Sequence, residues 1–287
     1  MLRVTAVVPT CERPVMLERA LRSIAGQDLP PEEIIVVDDG EKSHAPVAPR
    51  TVEQCGLSGA RVVVNSRTKG ASGARNTGAA HATFEILAFL DDDDEWLPSY
   101  LSQAVGQLDW SELDVVCTDL LCRFDDGVDR LAKSAPDRLA PDLFLTRNPG
   151  LGGSNLIIRR SVYCEIGGFD ESLPSCNDKD FGIRLSLRRG VRYLNLQQRL
   201  VRFYQHTGPK LGVPASEAMQ VGIRRFYELH AHRMTEAQRQ QYRDMARRFF
   251  SVDERGRILD VARSEFFDPL FPLLKARLDQ QRGRVDK

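Results

Sequence analysis

The feature that most constrains this chain is Glu85-Ile-Leu-Ala-Phe-Leu-Asp91-Asp92-Asp93-Asp94-Glu95-Trp96, where an apolar run breaks into five consecutive acids. A short run rich in Ile, Leu and Phe, bounded by a polar cluster, reads as a buried strand with the acids at its carboxyl end. Open α/β sheets bind their ligands at that end. At an effective dielectric of about 20, two carboxylates roughly 4 Å apart repel by about 4 kcal/mol, so the cluster needs solvent, a metal ion or basic partners. Carboxylate oxygens favour hard cations, Mg²⁺ or Mn²⁺, and such ions bring substrate phosphates with them. The same acids would also suit a solvated loop capping a helix that begins near Leu97-Pro98.

The stretches on either side repeat the pattern of an α/β sheet. Arg3 to Val8 is a β-rich run that stops at Pro9-Thr10, and Pro14 to Gln27 carries Val15, Leu17, Leu21, Ile24 and Ala25 at helical spacing. Glu33 to Val37 is a second strand, apolar like a parallel strand covered on both faces, and it too ends in acids, Asp38-Asp39-Gly40. Residues 41 to 59 read as a loop with one helical turn, and Arg61 to Val64 as a third strand. Lys69-Gly-Ala-Ser-Gly-Ala-Arg75-Asn76 leads into a helix of small residues. Its glycines suit either a phosphate contact at the helix start or close packing of a slim helix. It is neither a Walker A loop nor a G-x-G-x-x-G fingerprint.

Further along, Tyr100 to Leu108 reads as helix, Leu113 to Cys117 as strand, and Val128 to Leu151, poor in pattern, as a loop or lid. Gly152 to Arg159 is a strand leading to a short helix near Ser161 to Ile166. A helix beginning near Phe181 leaves Asp178 and Asp180 at or just before its N-terminus, where N-capping is the alternative to chemistry. Val191 to Leu196 and Leu200 to Gln205 read as two more strands. Beyond about Pro214 the chain turns to amphipathic helices rich in Arg and Gln, which divides it into an α/β domain over 1–212 and a helical region over 213–287. Arg224, Arg225, Arg247 and Arg248 fit solvated helix faces. Phe266 to Leu274 is an apolar patch suited to core packing, with a homodimer contact and a membrane surface as the other roles open to it.

Composition excludes several classes. Lys plus Arg equals Asp plus Glu at 40 each, so no global charge points to nucleic acid as a partner. The six cysteines show no zinc-finger spacing and fit reduced thiols. No signal peptide opens the chain and no run of about 20 apolar residues spans a bilayer, so the expectation is a soluble cytoplasmic protein, with peripheral membrane contact left open.

Taken in order, Val7-Val-Pro-Thr10, Ile35-Val-Val-Asp38-Asp39-Gly40, Gly70 to Asn76, Phe89 to Trp96, Gly167-Gly-Phe-Asp170-Glu and Asn177-Asp178 resemble the inverting, nucleotide-sugar-dependent glycosyltransferases of family 2. The resemblance covers roughly residues 2 to 210. It implies the GT-A fold, a Rossmann-like α/β class with a mostly parallel central sheet flanked by helices, here with a C-terminal helical extension. It also implies a nucleotide-sugar donor, a hydroxyl acceptor and Mn²⁺ or Mg²⁺ as cofactor. Pro9 and Thr10 match the segment that lines the nucleotide base, one of Asp38 and Asp39 the acid that reads its ring NH, and Arg75 a basic residue near the nucleotide. Asp93 matches the metal ligand and Asp91 the ribose or water contact; with four Asp in a row, Asp92 shares the nucleotide side. Asp178 matches the general base, with Asp180 as the alternative, and His206 a metal or diphosphate contact. Where Glu-Asp is common in that family, this chain has Asn177-Asp178. A sugar-phosphate nucleotidyltransferase, which needs a Gly-rich basic loop after the first strand in place of Pro9 to Pro14, and a non-catalytic scaffold are the competing readings.

Overall fold

A computed structural model describes residues 2–40, 47–57, 59–124, 127–204 and 216–246. The strands are β1 (Val4–Thr10), β2 (Glu33–Asp38), β3 (Arg61–Val64), β4 (Ile86–Phe89), β5 (Glu95–Trp96), β6 (Val115–Arg123), β7 (Asp129–Lys133), β8 (Leu156–Arg159) and β9 (Tyr193–Tyr204). The helices are α1 (Pro14–Ala25), α2 (Val47–Gln54), α3 (Ala71–His81), α4 (Tyr100–Trp110), α5 (Asp142–Leu145), α6 (Arg160–Glu165), α7 (Asn177–Leu187), α8 (Glu217–His230) and α9 (Glu236–Ala246). Packing groups the chain into two compact units, Met1–Glu171 with Asn177–Gly208, and Ser172–Cys176 with Pro209–Lys287. The expected boundary at 212/213 falls outside the described residues.

In the first unit the sheet order is β3-β2-β1-β4-β8-β6-β9-β5, with β7 paired to β6. β1, β2, β3 and β4 are mutually parallel, joined by crossover helices as parallel strands require. β1 is flanked by β2 on one side and β4 on the other, so the strand order reverses there, and this is where open sheets place ligands. The far half is mixed: β8 lies antiparallel between β4 and β6, β9 is parallel to β6, and β5 is antiparallel to β9. This is the mixed, mostly parallel sheet flanked by helices that the sequence implies.

Burial follows the apolar pattern. Every residue of β1 and β4 is buried, and α1 turns Leu17, Ala20, Leu21 and Ile24 into one core with Val36, Ile86, Trp96 and Tyr100. On α3, residues from Ser72 to Ala79 are all buried. The close-packing role of its glycines is visible in what a side chain would meet: a Cβ on Gly78 would lie 2.3 Å from Val7 Cγ1, and one on Gly73 1.9 Å from the Thr68 carbonyl oxygen.

Several expectations shift. The helix carrying Asp178 begins at Asn177 rather than near Phe181, which puts Asp178 and Asp180 inside its first turn. The two strands expected between 191 and 205 form the single β9, kept continuous past a left-handed Gln197 (φ 54°) by a register shift against β6. Val128 to Leu151 is not all loop, because β7 pairs back on β6 and α5 follows. All six cysteines are free.

The second unit is described over α8, α9 and 172–176. Phe226 stacks on Tyr242 at 5.7 Å, the Tyr242 hydroxyl donates to the Ile223 carbonyl at 2.9 Å, and Gly222 gives room to Ser175. Arg224 and Arg225 pair with Glu228 on an outer face, as expected of a solvated stripe. Arg247, Arg248 and the 266–274 patch lie outside the described residues. Among those described, no helix is long and apolar enough to cross a membrane.

The tight contact between α3 and β1 makes a direct prediction. Gly78→Ala, although it favours helix, should destabilise the protein by about 1 to 3 kcal/mol through overpacking against Val7 and Val37, read as a lowered urea midpoint at unchanged slope. A neutral result would mean that α3 can slide away from the sheet.

Candidate active site

Strand ends converge at the reversal point. Thr10 of β1 lies opposite Asp38 of β2, and Val7 opposite Phe89 of β4. Because β8 runs antiparallel to β4, with Ala88 opposite Ile157, the residues just before Leu156 sit beside the acids.

Each acid is held by a different device. Arg75 Nη2 donates to Asp91 Oδ1 at 2.6 Å and Oδ2 at 2.8 Å. Asp92 is fully enclosed: Thr10 Oγ1 donates to it at 2.7 Å, Arg13 Nε at 3.1 Å, and Arg13 Nη2 lies 2.5 Å from its other oxygen. Burial pushes its carboxyl up to about 7 against the opposing pull of Arg13 and the Thr10 hydroxyl. Its oxygens are turned into the protein, onto Thr10 and Arg13. Asp93 keeps about a quarter of its side chain exposed, with Arg13 Nη1 3.3 Å from Oδ2, and its backbone carbonyl accepts from Arg19 Nη2 at 2.6 Å. Asp94 is buried, accepting from the Ser154 hydroxyl at 2.5 Å and the Tyr204 N–H at 3.3 Å. Burial, then the charges of Asp93 and Asp91, raise its pKa well above the carboxylate range. Glu95 pairs with Arg202 at 2.6 Å.

Ser154 is committed to this lattice: besides binding Asp94 it accepts the Asp91 N–H at 3.1 Å, and its carbonyl accepts from Trp96 Nε1 at 2.8 Å. At the end of β2, Asp39 accepts from Asn65 Nδ2 at 2.6 Å and the Gly70 N–H at 2.8 Å, which fixes the start of α3, while Asp38 accepts from the Gly40 N–H at 2.9 Å. The Thr10 carbonyl accepts the Asp39 N–H at 2.8 Å. A carboxylate offers about four acceptor positions, so Asp38 and Asp39 retain capacity for a base NH. Pro9, Thr10, Asp38, Asp39, Asp91 and Asp93 thus share one edge of the sheet.

Arg75 is the hub of the site. Its side chain is almost wholly buried, its guanidinium lies 4.8 Å from the Phe169 ring centroid, and Gly153 leaves it room, since a Cβ there would approach its nitrogens to 2.8 Å. Burial opposes its charge, but the carboxylates of Asp91 and Asp178 outweigh that and hold the guanidinium above its usual range. One cation therefore serves both the acid run and the expected base. Asp180, by contrast, is buried and held by Arg184 Nε at 2.8 Å, whereas Asp178 is half-buried. The Gly167-to-Glu171 segment is fastened by Asn76, whose amide donates to the Phe169 carbonyl and Glu171, both at 2.8 Å, and accepts from the Phe169 N–H at 2.9 Å and the Tyr163 hydroxyl at 2.6 Å.

Among the described residues no three His, Cys, Asp or Glu converge on one metal position. His206 lies outside them. The donor that fits is Asp93, a single part-exposed hard oxygen ligand, which suits an ion completing its shell with phosphate oxygens and water. Sequence reasoning missed Arg13 and Arg19, which follow the first strand and bracket Asp93. The signal was present in the five acids, whose mutual repulsion demands nearby cations.

The two-point grip of Arg75 is testable. Arg75→Ala should cost roughly 2 to 4 kcal/mol in urea unfolding, below the full cost of breaking a buried pair because Asp91 keeps contact with water. Arg75→Lys should recover only part, having no planar fork. A loss under about 1 kcal/mol in the alanine variant would show that solvent replaces the guanidinium without penalty.

Comparison with known proteins places the chain among glycosyltransferases. An uncharacterized glycosyltransferase of Haemophilus influenzae is 27% identical over 183 residues, which is 62% of this chain and 60% of that protein. The chain spans 60% or less of the length of the first curated relatives it matches. Among solved structures, S. aureus TarS 1-349 in complex with UDP-GlcNAc superposes with a TM-score of 0.62 at 22% identity, covering 86% of this chain and 72% of that one. The mannosyltransferase PcManGT from Pyrobaculum calidifontis, in complex with GDP-Man and Mn²⁺, gives 0.57 at 21% identity, covering 82% and 65%. These likenesses establish the fold as GT-A-like. The pattern of Glycosyl transferase family 2 matches residues 5–167, more than half of the 287, and the chain belongs to that family.

Proposed function

We propose that this chain is a metal-dependent glycosyltransferase that moves a sugar from a nucleotide-sugar donor to a hydroxyl acceptor with inversion at the anomeric carbon. The observation that carries the reading is Arg75, a buried guanidinium whose charge is coupled to both Asp91 of the acid run and Asp178 of α7. Inversion by single displacement needs a carboxylate on one side of the sugar and a stabilised leaving diphosphate on the other. One cation bonded to Asp91 and stabilised by the charge of Asp178 supports that layout.

In this mechanism the acceptor oxygen attacks the anomeric carbon as its proton passes to the Asp178 carboxylate, the new C–O bond forming while the bond to the diphosphate breaks. A carboxylate is a weak base, so proton transfer is late and concerted with bond formation, contributing about 10²- to 10⁴-fold. Pro9, Thr10 and the Asp38–Asp39 pair line the base and ribose side, and Asp91, held rigid by Arg75, faces the ribose or a bound water. Asp93 would hold Mg²⁺ or Mn²⁺, with His206 as a proposed further contact, and the metal would supply Lewis-acid stabilisation of the leaving diphosphate. Arg13 and Arg19 keep Asp93 in place. The solved relatives bind different nucleotides, UDP-GlcNAc in one and GDP-Man in the other. We infer a UDP- or dTDP-linked donor, because a carboxylate at Asp38 or Asp39 accepts well from the ring NH of uracil or thymine. A cytoplasmic location and a helical region over 213–287 complete the proposal.

Calorimetric titration with UDP, dTDP, GDP and CMP, each with and without Mn²⁺, tests the donor site. Metal-dependent binding of UDP or dTDP is the expected result, and a folded protein that binds none of the four would overturn the reading in favour of a scaffold. Asp93→Asn should weaken metal-dependent nucleotide binding at least tenfold. Asp178→Asn should leave that binding unchanged and reduce turnover at least 100-fold; near-full turnover would remove Asp178 as the base.

A further inference from the structure

Asn177 stands where the family commonly has an acid, and its surroundings give it a function of its own. A backbone N–H can only donate, so the Asn177 side chain turns its Oδ1 to the Asp178 N–H, at 2.8 Å, and its Nδ2 to Ser72 Oγ, at 2.9 Å. Both Asn177 and Ser72 are buried. A carboxylate there could accept from both the Asp178 N–H and the Ser72 hydroxyl, whereas this amide donates to Ser72 and carries no charge. Asn at 177 therefore keeps a tie to α3 without a negative charge beside Asp178.

That tie reaches a rigid support. Ser72 and Arg75 are three residues apart on α3 and so share one face of the helix. Ser72 engages the start of α7, while Arg75 engages Asp91 at the end of β4. The helix between them has little freedom to move, because Gly73 lies against the Thr68 backbone and Gly78 against β1. The two halves of the site are referred to one another through a single face of α3.

We propose that Asn177 and Ser72 are positioning residues for Asp178: the buried Asn177–Ser72 hydrogen bond holds the first turn of α7 at a fixed distance from the Arg75–Asp91 pair. The inference rests on Asp178 being the general base. Positional errors of about 1 Å at a reacting group cost up to 10²-fold in rate, so the effect belongs in turnover and not in donor affinity.

The test uses the full chain and measures hydrolysis of UDP-glucose, UDP-N-acetylglucosamine, dTDP-glucose and GDP-mannose, water standing in for the acceptor and released nucleoside diphosphate as readout. Ser72→Ala and Asn177→Ala should each lower kcat about 10- to 100-fold with KM, nucleotide Kd and Tm little changed. The double variant should be no slower than the worse single one, as expected of partners in one contact. In an Asp178→Asn background neither substitution should slow the residual rate further, since both act through Asp178. Wild-type kcat in both single variants, or an equal loss in the Asp178→Asn background, would overturn the proposal and leave the bond purely structural. The underlying assignment fails separately, by Asp178→Asn alone retaining turnover. If Asn177→Ala does not fold, Ser72→Ala carries the same comparison.

Discussion

Five carboxyl groups in succession at the end of a buried strand cannot be left to themselves, and much of the architecture around β4 meets that electrostatic demand. Cations arrive from separate elements: Arg13 from just before α1 and Arg19 from within it, Arg75 from α3, Arg202 from β9. Hydroxyls from Thr10 and Ser154 and the Tyr204 N–H add further donors. Two of the acids, Asp92 and Asp94, are drawn inward and serve as anchors, which ties β1, β8 and β9 to one loop. The cost of burying them appears in their raised pKa values, and the network of donors offsets it. What remains toward the outside is Asp91, locked by Arg75, and Asp93, held at its carbonyl and part-exposed at its carboxylate.

The small-residue helix α3 sets the spacing. Ala and Gly contribute little side-chain volume, so α3 sits tight on β1 and β2 and brings its polar residues under the site. Asn76 then uses both ends of its amide to hold the Gly168–Phe169 turn, where a Cβ on Gly168 would come within 2.4 Å of Asn76 Oδ1 at φ +67°. The glycine-rich lead into α3 looked equally suited to phosphate binding and to packing. Its interior glycines serve packing, and the start of α3 is tied to Asp39 through the Gly70 N–H.

The parts legible in the sequence were those with strong one-dimensional signals. Uninterrupted apolar runs identified β1, β2 and β4, and the acids after two of them marked the ligand edge. The start of α7 was misplaced because Asn177-Asp178-Lys179-Asp180 has the polarity of a loop, although in the fold Asn177, Lys179 and Asp180 are buried. β7 was missed because a short pairing against β6 leaves no periodicity in so polar a stretch. Four identical residues carry no signal of direction, so the enclosure of Asp92 was not legible in the sequence.

By itself, the sequence determined the fold class and the family, because strand burial and charge spacing are properties of local residue order. Tertiary structure decided which acids face in and which face out, that Arg75 answers to Asp91 and Asp178 together, and that Asn177 reaches Ser72. Those outcomes depend on side chains far apart in the chain meeting at distances near 2.8 Å. Hydrogen bonds and ion pairs select partners by geometry, and geometry exists only once the sheet and α3 have closed around them.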